Sequence, residues 1–167
     1  MRKGVGSLIF GHKMLLDPHV CALVDNLTPD ILKLNLSSQR CVTDKHVSTL
    51  VHRCNKITEL DLGFTEVTND SVDSIVEHLN SLEKLSVNYT KIDFSKLLQL
   101  KSISTLKILR CSYGRHRSTE HTEKIKNLKL QLPHIRINED YIQIACPTKE
   151  VNGSIKAKEQ DLFPKAY

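Results

Sequence analysis

The chain has 167 residues, 40% hydrophobic and 26% charged, with a net charge of +5 and no tryptophan. That is the length of one domain, without the roughly 20 consecutive apolar residues of a membrane span, and its interior has to be filled by aliphatic side chains. Five scattered cysteines without a C-x-x-C pair read as reduced thiols of a nuclear or cytoplasmic protein, no Cys/His cluster has zinc-ligand spacing, and G-x-S-x-G, Walker A and H-E-x-x-H are absent, so neither an enzyme nor a cofactor is expected.

Residues 1–16 carry Leu8, Ile9, Phe10, Leu15 and Leu16 and read as the remnant of an incomplete repeat, so the array looks as if it begins midway. After Asp17-Pro18 come Val20, Leu23, Val24 and Leu27 at helical spacing, with Asp17 as N-cap. Then follows Ile31-x-x-Leu34-x-Leu36. Thr43-Asp44 starts a second amphipathic stretch (Val47, Leu50, Val51, Cys54), followed by Ile57-x-x-Leu60-x-Leu62. Asn69-Asp70 starts a third (Val72, Ile75, Val76, Leu79), followed by Leu82-x-x-Leu85-x-Val87. Asp93 caps a shorter helix with Leu97, Leu98 and Leu100, and Leu106-x-x-Leu109-x-Cys111 comes next. A polar basic loop precedes a helix from Thr119 to Leu130, with Ile125 and Leu128 as its apolar contacts, and a weaker fifth beat reads Leu132-x-x-Ile135-x-Ile137. Residues 139–148, with alternating Tyr141 to Cys146, suggest a terminal cap strand, and 149–167 a mobile Lys/Glu-rich tail.

The beat returns at steps of 26, 25, 24 and 26 residues. A fixed period of that size, with one short strand and one return helix per unit, predicts an α/β leucine-rich-repeat solenoid of four to five repeats over 17–138, with parallel strands on the concave face and helices on the convex face.

Alternation along each strand points the leucines inward and leaves a ladder on the open face: Lys33, Asn35, Ser37; Glu59, Asp61, Gly63; Lys84, Ser86, Asn88; Ile108, Arg110, Ser112; His134, Arg136, Asn138. This ladder either reads a partner protein or pairs with itself across strands. Phe64, Tyr89 and Tyr113 follow the strands as candidate rim anchors. Arg110, with Arg115 and Arg117, has the chemistry to grip a phosphorylated partner, the alternative being a solvated basic face. No aromatic-interleaved basic motif speaks for nucleic acid.

Two marks go beyond leucines: Cys54, three residues before Ile57, and the Val-Thr-x-Asp of Val67-Thr68-Asn69-Asp70, echoed by Val42-Thr43-Asp44. They resemble the cysteine-containing repeats of F-box/leucine-rich-repeat proteins. Leu34-Asn-Leu36-Ser37, Leu60-Asp-Leu62, Leu132-Pro-His134 through Asn138, and Ala145-Cys-Pro-Thr148 are similar to the S-phase kinase-associated F-box family over roughly residues 15 to 150. The resemblance implies the substrate-recognition part of a cullin-RING ubiquitin ligase, in which the concave face and tail hold a protein substrate and a small cyclin-kinase subunit. A Skp-type adaptor joins only through an F-box, which no segment before residue 15 provides. On the accessory-subunit surface the family has a basic, an acidic and a basic residue in successive repeats. Arg40 takes the first place and Phe64 and Tyr89 read as the next two, a departure from that pattern. The alternative function is a stand-alone repeat scaffold or assembly factor with no ubiquitin link.

Overall fold

The structure, a computed structural model, describes residues 6–9, 15–112 and 119–138. Six short strands form one parallel sheet in chain order: β1 (Ser7–Ile9), β2 (Lys33–Asn35), β3 (Glu59–Asp61), β4 (Lys84–Ser86), β5 (Ile108–Arg110) and β6 (Arg136–Ile137). The return segments are α1 (Asp17–Asn26), α2 (Asp44–Arg53), α3 (Asn69–His78), a 3-10 helix at Lys96–Ser102, and α4 (Thr119–Gln131). This is an open leucine-rich-repeat solenoid. β1 pairs in register with β2 through Ser7 and Lys33, so the segment before Asp17 supplies a repeat strand.

Each beat packs in rows. Leu34, Leu60, Leu85 and Leu109 stand opposite one another across the sheet, and Leu36, Leu62, Val87 and Cys111 form the next buried row. Val20 and Val24 of α1, Val47, Leu50 and Val51 of α2, and Val72 and Ile75 of α3 close on these rows to make one continuous core. Cys54 is fully buried, and its burial raises the thiol, as suits a small apolar plug at a helix end. Cys111 is pushed up to about 12 by the same cause.

Three local readings change. Asp17 is the first residue of α1 rather than its cap, which is Leu16. The fourth return segment is 3-10 rather than α-helical, and Ser95, not Asp93, precedes it. The fifth beat is out of step: Leu109 pairs with Ile137, not Ile135. Leu132 closes α4 through its N–H to Leu128 O at 2.9 Å, and the Ile135 N–H returns to Leu132 O, as Leu106 returns to Ile103 one repeat earlier. The residues opposite Ile108 and Arg110 are therefore Arg136 and Asn138, and His134 drops out of the ladder. The cap strand and tail predicted for 139–167 lie outside the described residues.

Helix starts are tied from repeat to repeat. Asp44 accepts from the Thr68 N–H (2.8 Å), Thr68 Oγ1 (2.8 Å) and Ser71 Oγ (2.5 Å). One repeat on, Asn69 holds the Asp93 N–H at 2.9 Å and donates to Asp93 Oδ2 at 2.8 Å. Burial pushes the Asp44 carboxyl up, but the hydrogen bonds from Ser71 and Thr68 outweigh it and hold the group below its usual range.

Two outcomes follow. Leu62→Ala is expected to cost about 3 kcal/mol in urea unfolding, because a rigid ladder collapses poorly onto the cavity. Asp44→Ala is expected to cost about 2 kcal/mol near pH 7, where the carboxylate accepts three hydrogens. With a depressed folded pKa, that contribution is present above the unfolded value of about 4 and fades as pH falls through the folded one, so the gap between wild type and variant narrows toward about pH 2.

Candidate functional site

The open face of β1–β5 is a trough of about 400 Å³ that includes Lys33, Asn35, Glu59, Asp61, Lys84 and Arg110. Its central acid is clamped from both sides. Glu59 Oε1 lies 2.8 Å from Lys33 Nζ and 3.0 Å from Lys84 Nζ. The Lys33 hydrogen bond, against some desolvation and with help from Lys84, holds Glu59 below the ordinary glutamate range. The ladder thus pairs with itself across β2, β3 and β4. In a half-exposed setting such pairs contribute only fractions of a kcal/mol, yet they neutralise the floor's one glutamate and leave an excess positive charge.

Several ladder residues serve the backbone. Asn35 Oδ1 accepts the Ser37 N–H at 2.8 Å and Asp61 Oδ1 the Gly63 N–H at 2.9 Å, each closing the turn after its own strand. Gly63 is there for space: a Cβ would stand 3.1 Å from Asp61 Oδ1. Ser86 and Asn88, counted on sequence as contact residues, are buried, and Asn88 Oδ1 takes the Ser112 N–H of the next repeat at 2.7 Å. They hold the rim in shape and offer little surface. Arg110 lines the β5 end of the trough. Tyr113, Arg115 and Arg117 lie outside the described residues.

At the rim past the strand ends an aromatic side chain reaches solvent. Phe64 and Tyr89 stack face to face, with ring centroids 4.4 Å apart and planes 17° from parallel, and Phe64 is 49% exposed. Both sit in the left-handed backbone region (φ 59° and 55°), as does Ser38 (φ 65°). The cause is the ladder: the Ser38 N–H bonds to Gly63 O, the Phe64 N–H to Asn88 O and the Tyr89 N–H to Ser112 O, so the chain makes the same sharp exit after β2, β3 and β4. That exit suits glycine or asparagine, and a bulky residue there costs about 1 kcal/mol.

The same hydrogen bonds correct the register of Arg40. Ser38, Phe64 and Tyr89 are equivalent, so counting two residues on makes Arg40, Glu66 and Lys91 equivalent. The first of these repeats then inserts one residue, Cys41, before Val42. Leucine spacing already carries the equivalence, since Arg40, Glu66 and Lys91 each lie four residues past Leu36, Leu62 and Val87, and the extra residue lengthens the first step from 25 to 26. Arg40 is thus level with Glu66 and Lys91 and not with Phe64 and Tyr89. Glu66 Oε2 and Lys91 Nζ are 2.5 Å apart; the Lys91 hydrogen bond lowers the Glu66 pKa, and the Arg40 charge adds to it.

Sequence reading also missed a cluster on the helical side. Asp17, Cys21 and His46 bring one ligand atom each within 4.8 Å of one another.

Fold and rim together define a leucine-rich-repeat solenoid with an aromatic and charged edge beside a polar trough. No family model matches the chain. It is similar to a solved structure titled Leiomodin-1 Actin-Binding Site 2, with TM-score 0.52 and 14% identity, over 83% of this chain and 83% of that one. At that identity the likeness is one of fold. Among the described residues no helix is long and apolar enough to cross a membrane.

If the left-handed exit is imposed by the ladder, Phe64→Gly should be more stable than Phe64→Ala by about 1 kcal/mol, the reverse of the usual order. Both lose the ring stack, so their difference isolates the backbone strain. Urea midpoints of the two variants measure it.

Proposed function

We propose that this chain is a protein-binding module that takes a partner across its strand trough and C-terminal rim, and that it does so as the substrate-recognition part of a cullin-RING ubiquitin ligase. The observation that carries the binding reading is the Phe64–Tyr89 stack, exposed and held at backbone angles unfavourable to aromatic residues. Strain of that kind persists where the surroundings fix it, and it gathers at ligand clamps. Rigid aromatic anchors flanked by charge are the usual energetic centre of a protein interface. Arg40, Glu66 and Lys91 supply the flank, and the lysine-rich floor favours an acidic or phosphorylated segment over a basic one. A solved structure of similar fold carries an actin-binding site in its title, which makes protein capture by this architecture a sound precedent.

The ligase part rests on the F-box-type marks around Cys54 and Val67-Thr68, and on Arg40, Glu66 and Lys91 as a basic, an acidic and a basic residue past successive strands. In this reading the module does no chemistry: it positions the partner's lysines, and other subunits transfer ubiquitin.

Two measurements test the two halves separately. Partners captured by the wild-type protein in cells are expected to be lost when Phe64→Gly and Tyr89→Gly are combined, and weakened by Lys91→Glu; undiminished capture removes the rim as the site. The protein expressed from its own gene is expected to co-purify with a Skp-type adaptor and a cullin. Partner capture without them leaves a stand-alone scaffold.

A further inference from the structure

The helical side carries a side-chain constellation that partner binding on the strand face does not use. Cys21 Sγ of α1 lies 3.2 Å from His46 Nε2 of α2, and Asp17 Oδ1 lies 3.4 Å from the same nitrogen. Asp17 Oδ2 is 4.0 Å from Cys21 Sγ, one helical turn away. His46 is 95% buried. Its other ring nitrogen is fixed by Thr43, whose N–H and Oγ1 stand 3.2 and 3.1 Å from Nδ1. One thiol, one imidazole and one carboxylate therefore converge on one point from two neighbouring repeats.

The next repeat shows what this position does ordinarily. There Asp44 meets Ser71, the counterpart of His46, through a plain hydrogen bond. Replacing that serine by a buried histidine, and adding a cysteine four residues after the acid, is more than a helix tie requires. It supplies the sulfur, nitrogen and oxygen ligands that a borderline-soft divalent ion prefers. We propose that Asp17, Cys21 and His46 form a binding site for a zinc-like divalent cation, stapling α1 to α2 at the N-terminal end of the array.

The geometry suits a tetrahedral ion. Ligand bonds of about 2.0 to 2.3 Å place neighbouring ligand atoms roughly 3.3 to 3.6 Å apart, near the 3.2 and 3.4 Å from His46 Nε2 to Cys21 Sγ and Asp17 Oδ1, while the 4.0 Å from Asp17 Oδ2 to Sγ has to close by a few tenths of an ångström. The fourth position is left to water. Thr43 Oγ1 is the outer group that fixes the ring. Binding releases the Cys21 thiol proton to solvent. It also takes over Nε2, so the ring proton moves to Nδ1 and is donated to Thr43 Oγ1, and the bond that the Thr43 N–H otherwise donates to Nδ1 is given up. Cys41 stays outside the site, since its thiol, raised by burial, donates to Leu15 O at 3.1 Å. A second pair, His52 Nδ1 and His78 Nε2 at 3.2 Å, offers nitrogen without sulfur, which makes the two places spectroscopically distinct.

The test is titration of the reduced full chain with Co(II), followed by displacement with Zn(II). One cobalt per chain is expected, with tetrahedral visible bands and a thiolate-to-cobalt charge-transfer band in the near ultraviolet. Cys21→Ser should abolish that band. His46→Ser recreates the serine arrangement of the following repeat, so it should fold while binding cobalt at least about tenfold more weakly. Zn(II) should raise the melting temperature of the wild type and not of His46→Ser. The proposal is overturned by absence of the charge-transfer band, by a band that survives Cys21→Ser, or by cobalt binding lost in His52→Gln and unchanged in His46→Ser.

Discussion

No repeat of this chain can bury its own leucines. A three-residue strand and a ten-residue helix leave each inward side chain half covered, and only the next unit completes the cover. Everything else in the structure follows from that dependence. Leu34, Leu60, Leu85 and Leu109 form a row because each is the other's solvent shield. The tie between Asp44 and Thr68, and the bond from Thr58 Oγ1 to Leu32 O at 3.0 Å, reach from one unit to the next. Stability is thus pooled between neighbours, and a fault in one repeat is felt first by the repeats beside it.

The same dependence shapes the surface. With parallel pairing fixing the register, the open face is a set of rungs whose charges meet their neighbours. Lys33, Glu59 and Lys84 settle among themselves, which leaves the trough floor polar with a small positive excess. Chemistry with something to offer is displaced to the edge, where the backbone turns away from the ladder. The sharp exit that the pairing demands projects Phe64 and Tyr89 outward and stacks them, while Ser38 at the same exit projects nothing large. Recognition by this molecule, in the function proposed, is a property of the edge more than of the floor.

How far sequence carried this picture depended on what each element leaves in the letters. The four strong beats and the first three helices were legible because burial writes a leucine at each inward position. The fifth beat misled because Leu132 satisfies the pattern equally well as the apolar residue that closes α4 and as the first residue of a beat; a backbone bond to Leu128 decides it, and no letter records that bond. Arg40 was placed level with Phe64 and Tyr89 although counting four residues on from Leu36, Leu62 and Val87 gives Arg40, Glu66 and Lys91. Ser86 and Asn88 read as surface because alternation says which way a side chain points, not whether the next turn covers it. The cluster of Asp17, Cys21 and His46 joins helices whose residues are far apart in the chain, and no spacing rule connects them.

The 3-10 segment of the fourth repeat has a geometric consequence. Neighbouring strands stand about 4.8 Å apart, whereas packed α-helices need about 8 to 10 Å, and that difference in layer spacing bends a solenoid into an arc. A 3-10 helix is the slimmer rod. Where Lys96–Ser102 takes the place of an α-helix, the outer layer shortens while the sheet keeps its spacing, and the arc opens. On that spacing argument the fourth repeat adds less bend to the array than the repeats that carry α1 to α3.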